Sequence, residues 1–136
     1  ARTIHSYQTY GGQRASLGQA MQEAVTMIRQ AKSIDSLTES SVTFTADLGG
    51  GDRMYRLYLY HADDAEPNPP YTQERYQMRF AIDDGDYGAG AVLVTDVQPS
   101  VQPPFAVDGN VMTLDWTVLT AQAALRFRTQ VCPRNL

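Results

Sequence analysis

The chain has 136 residues, of which 43% are apolar and 19% charged, a composition typical of a folded globular domain. The net charge is −4, and residues 35–96 carry twelve acids against four arginines. This acidic stretch, together with a single lysine, argues against a nucleic-acid footprint or a polybasic membrane patch, since both need clustered basic residues. No apolar run reaches the roughly 18 residues of a membrane span, and the length fits one domain over residues 1–136.

The strongest helical pattern covers residues 13–32. Apolar residues recur there at spacings of four, three, four and three, which places them on one helix face. Those residues are Leu17, Met21, Ala24, Ile28 and Ala31. We therefore expect an amphipathic helix of about 30 Å whose apolar face packs on a sheet, with residues 1–34 as a helical stalk.

After a polar connector, the chain reads as strands and turns. Alternating apolar and polar residues predict six strands, at residues 42–46, 54–60, 75–82, 91–97, 111–119 and 123–131. Glycine-rich turns, an acidic proline-containing loop over residues 61–74 and a proline-broken segment over residues 98–110 join them. No βαβ spacing occurs, so the sheets should be antiparallel. The predicted fold class is α+β, one long N-terminal helix packed on antiparallel sheet of about six strands, with a β-rich head over residues 42–131.

Residues that could support catalysis are few. His5 and His61 are the only histidines, and neither lies in a segment that resembles a nucleophile motif. Cys132 is the only cysteine, which excludes an internal disulfide and a cysteine-based metal site. The sequence therefore predicts no catalytic residues and no organic cofactor.

Calcium is the one metal that the sequence suggests. Asp83, Asp84 and Asp86 surround Gly85, and hard cations prefer several carboxylate oxygens around a glycine turn. Asp47 and Asp52, which lie on either side of three glycines, suggest the same chemistry less strongly. Aspartate and glycine are also the ordinary residues of hairpin turns, so a purely structural role stays open for both clusters.

Tyrosines are abundant, and several fall on one hairpin. In residues 54–60 the alternation places Arg56, Tyr58 and Tyr60 on the outward face. Such a face could hold a sugar or a stacked base. Cross-strand tyrosine packing is the structural alternative.

Four segments together carry a family resemblance. They are VTFTADLGGGDRMYRLYLY (42–60), LVTDVQ (93–98), VMTLDWTVL (111–119) and LRFRTQVCPRNL (125–136). In this order, after a helix, they resemble the minor pilins and pseudopilins of type IV filament systems. The closest are the J-type pseudopilin of type II secretion and the W-type minor pilin of type IV pili. The turn at residues 47–52 lacks the middle aspartate of the family's "TADLDGDG", which makes calcium less expected there.

The resemblance implies a non-catalytic structural subunit that acts in filament initiation or at the filament tip. Its partners would be other minor pilins or pseudopilins and the filament core, without nucleic acid. Family members carry a hydrophobic N-terminal helix that undergoes prepilin-type cleavage and methylation and anchors the precursor in the bacterial inner membrane. Membrane contact would occur only through that segment, which is not in this sequence. The β-rich domain would lie in the periplasm and later in a pilus or a protein-transporting pseudopilus.

Two other readings remain open at the sequence level. A periplasmic or extracellular β-rich module could bind a sugar or peptide on the tyrosine-rich hairpin. A small hydrolase is the third, and it would depend on His61. The choice between pilus and secretion pseudopilus also remains open.

Overall fold

The computed structural model describes residues 12–83, 85–99 and 103–133, with the side chains of residues 12–17 outside the description. The elements in chain order are α1 (Gly12–Arg29), β1 (Ala31–Leu37), β2 (Ser41–Asp47), β3 (Asp52–Tyr60), β4 (Tyr76–Ile82), a short 3₁₀ helix (Tyr87–Ala89), β5 (Ala91–Gln98), β6 (Phe105–Asp108), β7 (Val111–Leu119) and β8 (Ala124–Val131).

The eight strands of the described residues form one antiparallel sheet. The order is β1-β2-β3-β4-β5-β7, and β7 also pairs with β6 and β8. Strands β5 and β6 pair with opposite ends of β7, while β8 pairs with β7 from Met112 to Leu119. The sheet is curled, far enough for Ile34 of β1 to line the same small cavity as Val107 and Val111.

The predicted fold class is wrong, because the structure is mostly β with one short helix rather than a long helix packed on a sheet. The described part of the helix spans 18 residues, from Gly12 to Arg29. Residues 31–37, expected as helix end and connector, form β1 instead and pair with β2. The segment AKSIDSL has no β pattern of its own, so hydrogen bonds to β2 override its local preference.

The six strands predicted from the sequence are confirmed. The six predicted strands correspond to β2–β5, β7 and β8. A seventh and an eighth strand were missed: β1, described above, and β6. The short β6 follows Pro103 and Pro104 in the segment predicted as a proline-broken connection.

The helix contributes its apolar face to the core. Met21, Ala24 and Ile28 are buried and belong to the same apolar cluster as the inward side chains of the sheet. Ala31 is also buried, but it lies in β1 opposite Ala46 rather than on the helix. The side chain of Leu17 lies outside the described residues.

The two longest strands, β3 and β7, are buried on both faces at their centres. The face toward the helix, called the concave face here, carries the apolar residues of the core. It includes Leu57, Leu59, Leu114, Trp116 and Val118. The opposite, convex face of β3 buries Arg56 and Tyr58, and that of β7 buries Asp115. The convex face is therefore where polar groups are packed closely.

Candidate functional site

Asp83 and Asp86, the two described acids of the predicted calcium cluster, each accept a hydrogen bond from within the chain. The carboxylate of Asp83 accepts a hydrogen bond from Arg56 Nη1 at 3.0 Å. Asp86 accepts one from the backbone N–H of Gly88 at 3.1 Å and so caps the 3₁₀ helix. Asp84 lies outside the described residues. Within the described part of the chain, no group of three or more metal-ligating side chains converges, and calcium binding stays a prediction.

The second acidic turn is organised by its backbone. Asp47 accepts hydrogen bonds from the N–H groups of Gly49 and Gly51 at 2.9 and 3.2 Å, and these bonds lower the pKa of its carboxyl group. Both glycines have positive φ, a conformation that the absence of Cβ permits. Asp52 forms an ion pair with Lys32 at 2.8 Å. The Asp47 hydrogen bonds close the β2–β3 hairpin, and the ion pair links the start of β3 to β1.

The described contacts of His61 are structural. Its Nδ1 accepts a hydrogen bond from the N–H of Asp63 at 2.9 Å, and its ring packs edge-on against Tyr76 at 5.9 Å. Neither serine nor cysteine is among the described residues that line the adjacent cleft. His5 lies outside the described residues. Cys132 is exposed at the end of β8, with its thiol free.

At Arg56 and Tyr58 the tyrosine-rich face of β3 is covered rather than open, which favours the packing alternative over a stacking platform at these two residues. Arg56 and Tyr58 are 1% and 0% exposed. Tyr87 of the 3₁₀ helix lies over Arg56, with the guanidinium carbon 3.7 Å from the ring centroid. The Tyr58 hydroxyl donates to the backbone oxygen of Tyr87 at 2.7 Å, and burial raises the Tyr58 pKa. A ligand could not reach Arg56 or Tyr58 from this side without displacing residues 85–90, whereas Tyr60 is partly exposed.

Glycine makes this close cover possible. A Cβ at Gly90 would lie 2.0 Å from the Tyr58 hydroxyl, nearer than any real contact, and one at Gly88 would lie 3.3 Å from the Tyr60 hydroxyl. Arg79 fixes the same segment by donating to the Gly88 oxygen at 2.8 Å while stacking on Tyr60. The glycine-rich sequence GDYGAG therefore forms a packed cover, which we call the convex cover (residues 85–90).

The predicted exposed loop at residues 61–74 is also tied to the sheet. Asp64 accepts hydrogen bonds from the Tyr76 hydroxyl at 2.5 Å and from Thr72 at 3.2 Å. Ser40 donates to the backbone oxygen of Pro67. Burial raises the pKa of Tyr71 to about 12. Nine of its fourteen residues are nevertheless exposed, as predicted, and are available for partner contacts.

A polar cleft of about 340 Å³ opens where β3 ends and β4 begins. Two arginines, His61 and Asp96 contribute charged or titratable groups to it. Its lining residues are Tyr60, His61, Ala62, Arg75, Tyr76, Gln77, Arg79, Thr95 and Asp96. Arg75 Nη1 lies 3.4 Å from the Asp96 carboxylate, and the Thr95 hydroxyl donates to that carboxylate at 3.3 Å. The cleft thus presents both donors and an acceptor.

Asp96 has an unusual backbone for a strand residue. Its φ is +60°, the single positive value among described residues other than glycine. Tyr76 pairs with Val97 and Met78 with Val94, so β5 has one more residue than β4 in this interval. Such bulges redirect side chains and are frequent beside functional sites. The sequence analysis did not predict this cleft. The one signal in the sequence was Asp96 itself, because aspartate is depleted in strands but tolerates positive φ.

A second, more apolar groove of about 420 Å³ lies between the outer face of α1 and the sheet. Met27, Phe80 and Leu93 form its apolar wall. Gln19, Gln22, Glu23 and Thr26 contribute helix side chains on the polar side. This groove is an accessible surface beside the helix, but it brings together no reactive groups.

Comparison with known proteins adds no relative: no protein-family model, no curated protein and no solved structure matches this chain. None of the helices in the described part of the chain has the length and apolar character needed to cross a membrane.

Proposed function

We propose that the chain is a non-catalytic structural subunit of a type IV filament system, a minor pilin or pseudopilin that acts in filament initiation or at the tip. The observation that carries the proposal is the junction between α1 and the β-rich body. Met21, Ala24 and Ile28 are 5%, 0% and 0% exposed, so the second half of the helix is fixed in the body. A filament subunit needs such a firm joint, because force on the helix must reach the head without unfolding it.

The family-like segments support the proposal through the hairpins that they form. Residues 42–60 make up β2 and β3, and residues 111–131 make up β7 and β8. Most polar groups on the convex face make contacts within the chain. Examples are the Arg56–Asp83 and Arg126–Asp115 ion pairs. The precursor would be anchored in the bacterial inner membrane with this domain in the periplasm, and its partners would be other minor subunits and the filament core.

The native gene and its product test this proposal. We expect the codons ahead of Ala1 to encode a basic leader, a glycine and about 20 apolar residues with an early glutamate. Mass spectrometry of the protein from its host should find cleavage after that glycine and a methylated N terminus. A cleavable secretory signal, or no apolar segment, would end the proposal.

Deletion of the gene then separates the two systems. Loss of surface filaments would identify a pilus, whereas retention of secreted proteins in the periplasm would identify a pseudopilus. Normal filaments together with normal secretion would contradict both assignments.

A binding module is the second candidate function, and the polar cleft favours it. Asp96 is held at positive φ beside Arg75 and Thr95 in an open cleft, which fits a small polar ligand such as a sugar or a short peptide. Titration with monosaccharides and dipeptides, followed by NMR, should then shift the amides of Thr95 and Asp96. Asp96→Ala should abolish that shift, and Asp86→Ala, outside the cleft, should leave it. Shifts scattered over the surface would contradict this function.

A further inference from the structure

Among the described residues, β1, β6 and β8 each pair with a single strand, and the two longer ones, β1 and β8, differ in regularity. At one edge, β1 has irregular register with β2 between Ala31 and Ser33 and again between Ile34 and Ser36. Bulges of this kind twist an edge and obstruct pairing with another strand. Lys32 and Asp35 add charges along the same strand. The β1 edge is therefore poorly suited to adding a strand.

At the other edge, β8 is regular. Its pairing with β7 runs without a shift from Ala124 to Val131. Proline first occurs after the strand, at Pro133, and within the described ranges β7 is the one strand that pairs with β8. A strand in this position directs every second pair of backbone N–H and C=O groups outward. The β8 edge has the geometry that a ninth strand requires.

The convex side of β8 is positively charged. Arg126 makes two hydrogen bonds to the Asp115 carboxylate at 2.6 and 2.8 Å. Arg128 lies 4.0 Å from the same carboxylate, and its side chain is 57% exposed. Two guanidinium groups thus share one buried carboxylate. The positive charge left on Arg128 favours an acidic side chain at the adjacent position of an added strand.

The concave side of β8 is apolar. Leu125 and Phe127 are partly buried and pack against the core. An added strand would place alternate side chains beside them, in reach of cross-strand contact. The complementary strand therefore alternates between apolar residues on the concave side and acidic residues on the convex side.

A second copy of β8 does not have this chemistry. Antiparallel pairing of two β8 strands centred on Phe127 would place Arg126 of each copy opposite Arg128 of the other. Like charges directly opposite one another destabilise a strand pair. The charge pattern thus favours a different protein over a symmetric pair of this chain.

We propose that the outer edge of β8 binds an extended segment of another protein, in which acidic and apolar side chains alternate, as an added antiparallel or parallel strand. Main-chain hydrogen bonds would provide affinity, and Arg128 together with Phe127 would select the partner. This inference does not depend on the filament proposal.

Amide hydrogen exchange measured by NMR tests the proposal on the whole chain. The probe is a capped peptide of about eight residues that alternates glutamate and valine, and its control alternates lysine and valine. The glutamate peptide should slow exchange at alternate amides of residues 124–131 and leave residues 31–37 unchanged. Equal protection by the lysine peptide, protection at β1, or no protection at β8 would overturn the proposal.

Two charge-reversal variants test whether Arg128 selects an acidic partner strand. Arg128→Glu should weaken binding of the glutamate peptide by at least about threefold and improve binding of the lysine peptide. Arg53→Glu makes the same charge change at an exposed site on β3 and should affect neither peptide. Thermal unfolding confirms that both variants fold. Equal weakening by the two reversals would show a bulk charge effect and would contradict recognition at the β8 edge.

Discussion

At its centre, β3 is buried on both faces, yet different contacts bury the two faces. Leu57 and Leu59 point to the concave side and join a large apolar cluster with Trp116 and the helix. Arg56 and Tyr58 point to the convex side, where the convex cover, an ion pair and stacked rings enclose them. The first face is buried by many interchangeable apolar contacts, the second by a few specific ones. Substitutions on the concave face should therefore lower the free energy of unfolding most. On the convex face, the loss should depend on which particular contact a substitution removes.

The largest effect is expected at the centre of the concave core. Trp116 is fully buried and packs edge-on against Phe105 at 6.2 Å. Trp116→Ala removes this large side chain and leaves a cavity, so the free energy of unfolding should fall by about 4 kcal/mol. Urea denaturation measures the loss. Val107→Ala, at an exposed position, should change stability by less than about 0.5 kcal/mol, and equal losses would contradict the core assignment.

The next effect concerns the ion pair under the convex cover. Asp83→Asn removes the carboxylate from a guanidinium that is 1% exposed. We expect a loss of about 2 kcal/mol, less than for a fully buried pair because the side chain of Asp83 is 29% exposed. Asp86→Asn, in the same acidic turn, should cost less than half as much. Urea denaturation measures the free energy of unfolding of both variants. A larger loss of stability for Asp86→Asn would show that the Arg56–Asp83 ion pair is not the main contact.

A smaller and more local effect is expected at Gly90. Gly90→Ala places a methyl group on the Tyr58 hydroxyl and should destabilise the chain by about 1.5 kcal/mol. Tyr58→Phe combined with Gly90→Ala should recover part of that loss, because the clashing oxygen is removed. A double-mutant cycle measures the coupling. Strict additivity would show that the convex cover does not contact Tyr58 as described.

The smallest effect appears only at high pH. Burial raises the pKa of Tyr71 from 10.0 to about 12, so the folded chain keeps a proton that the unfolded chain releases. This contribution to stability is fully present below about pH 10 and is lost as the pH rises toward about 12. Tyr58 and Tyr76 also have raised pKa values because of burial and add to the same trend.

Tyr71→Phe isolates this contribution. The variant should lose less stability than the unaltered chain between about pH 9 and about pH 11, as measured by urea denaturation at both values. At the lower pH it should be no less stable, because the buried Tyr71 hydroxyl has no hydrogen-bond partner among the described residues. If the free energy of unfolding fell equally in both proteins, a group other than Tyr71 would be responsible for the pH dependence.

Sequence patterns predicted the concave face well and the convex face poorly. The alternation in MYRLYLY assigned Tyr55, Leu57 and Leu59 to one side, and all three are buried. The same alternation sent Arg56 and Tyr58 outward, since it cannot show that a distant glycine-rich turn folds over them. The cleft around Asp96 was missed for a related reason, because it depends on a bulge between β4 and β5.

The sequence by itself determined six strands, their antiparallel arrangement, the turns at residues 47–52 and 83–90 and the apolar face of the helix, because each depends on periodicity or turn chemistry within a few residues. Only the tertiary structure decided that the helix ends at Arg29, that residues 31–37 and 105–108 are strands, and that the convex side of β3 is enclosed. Those outcomes depend on hydrogen bonds and packing between segments far apart in the chain. Their free energy outweighs the local preferences from which a sequence pattern is read.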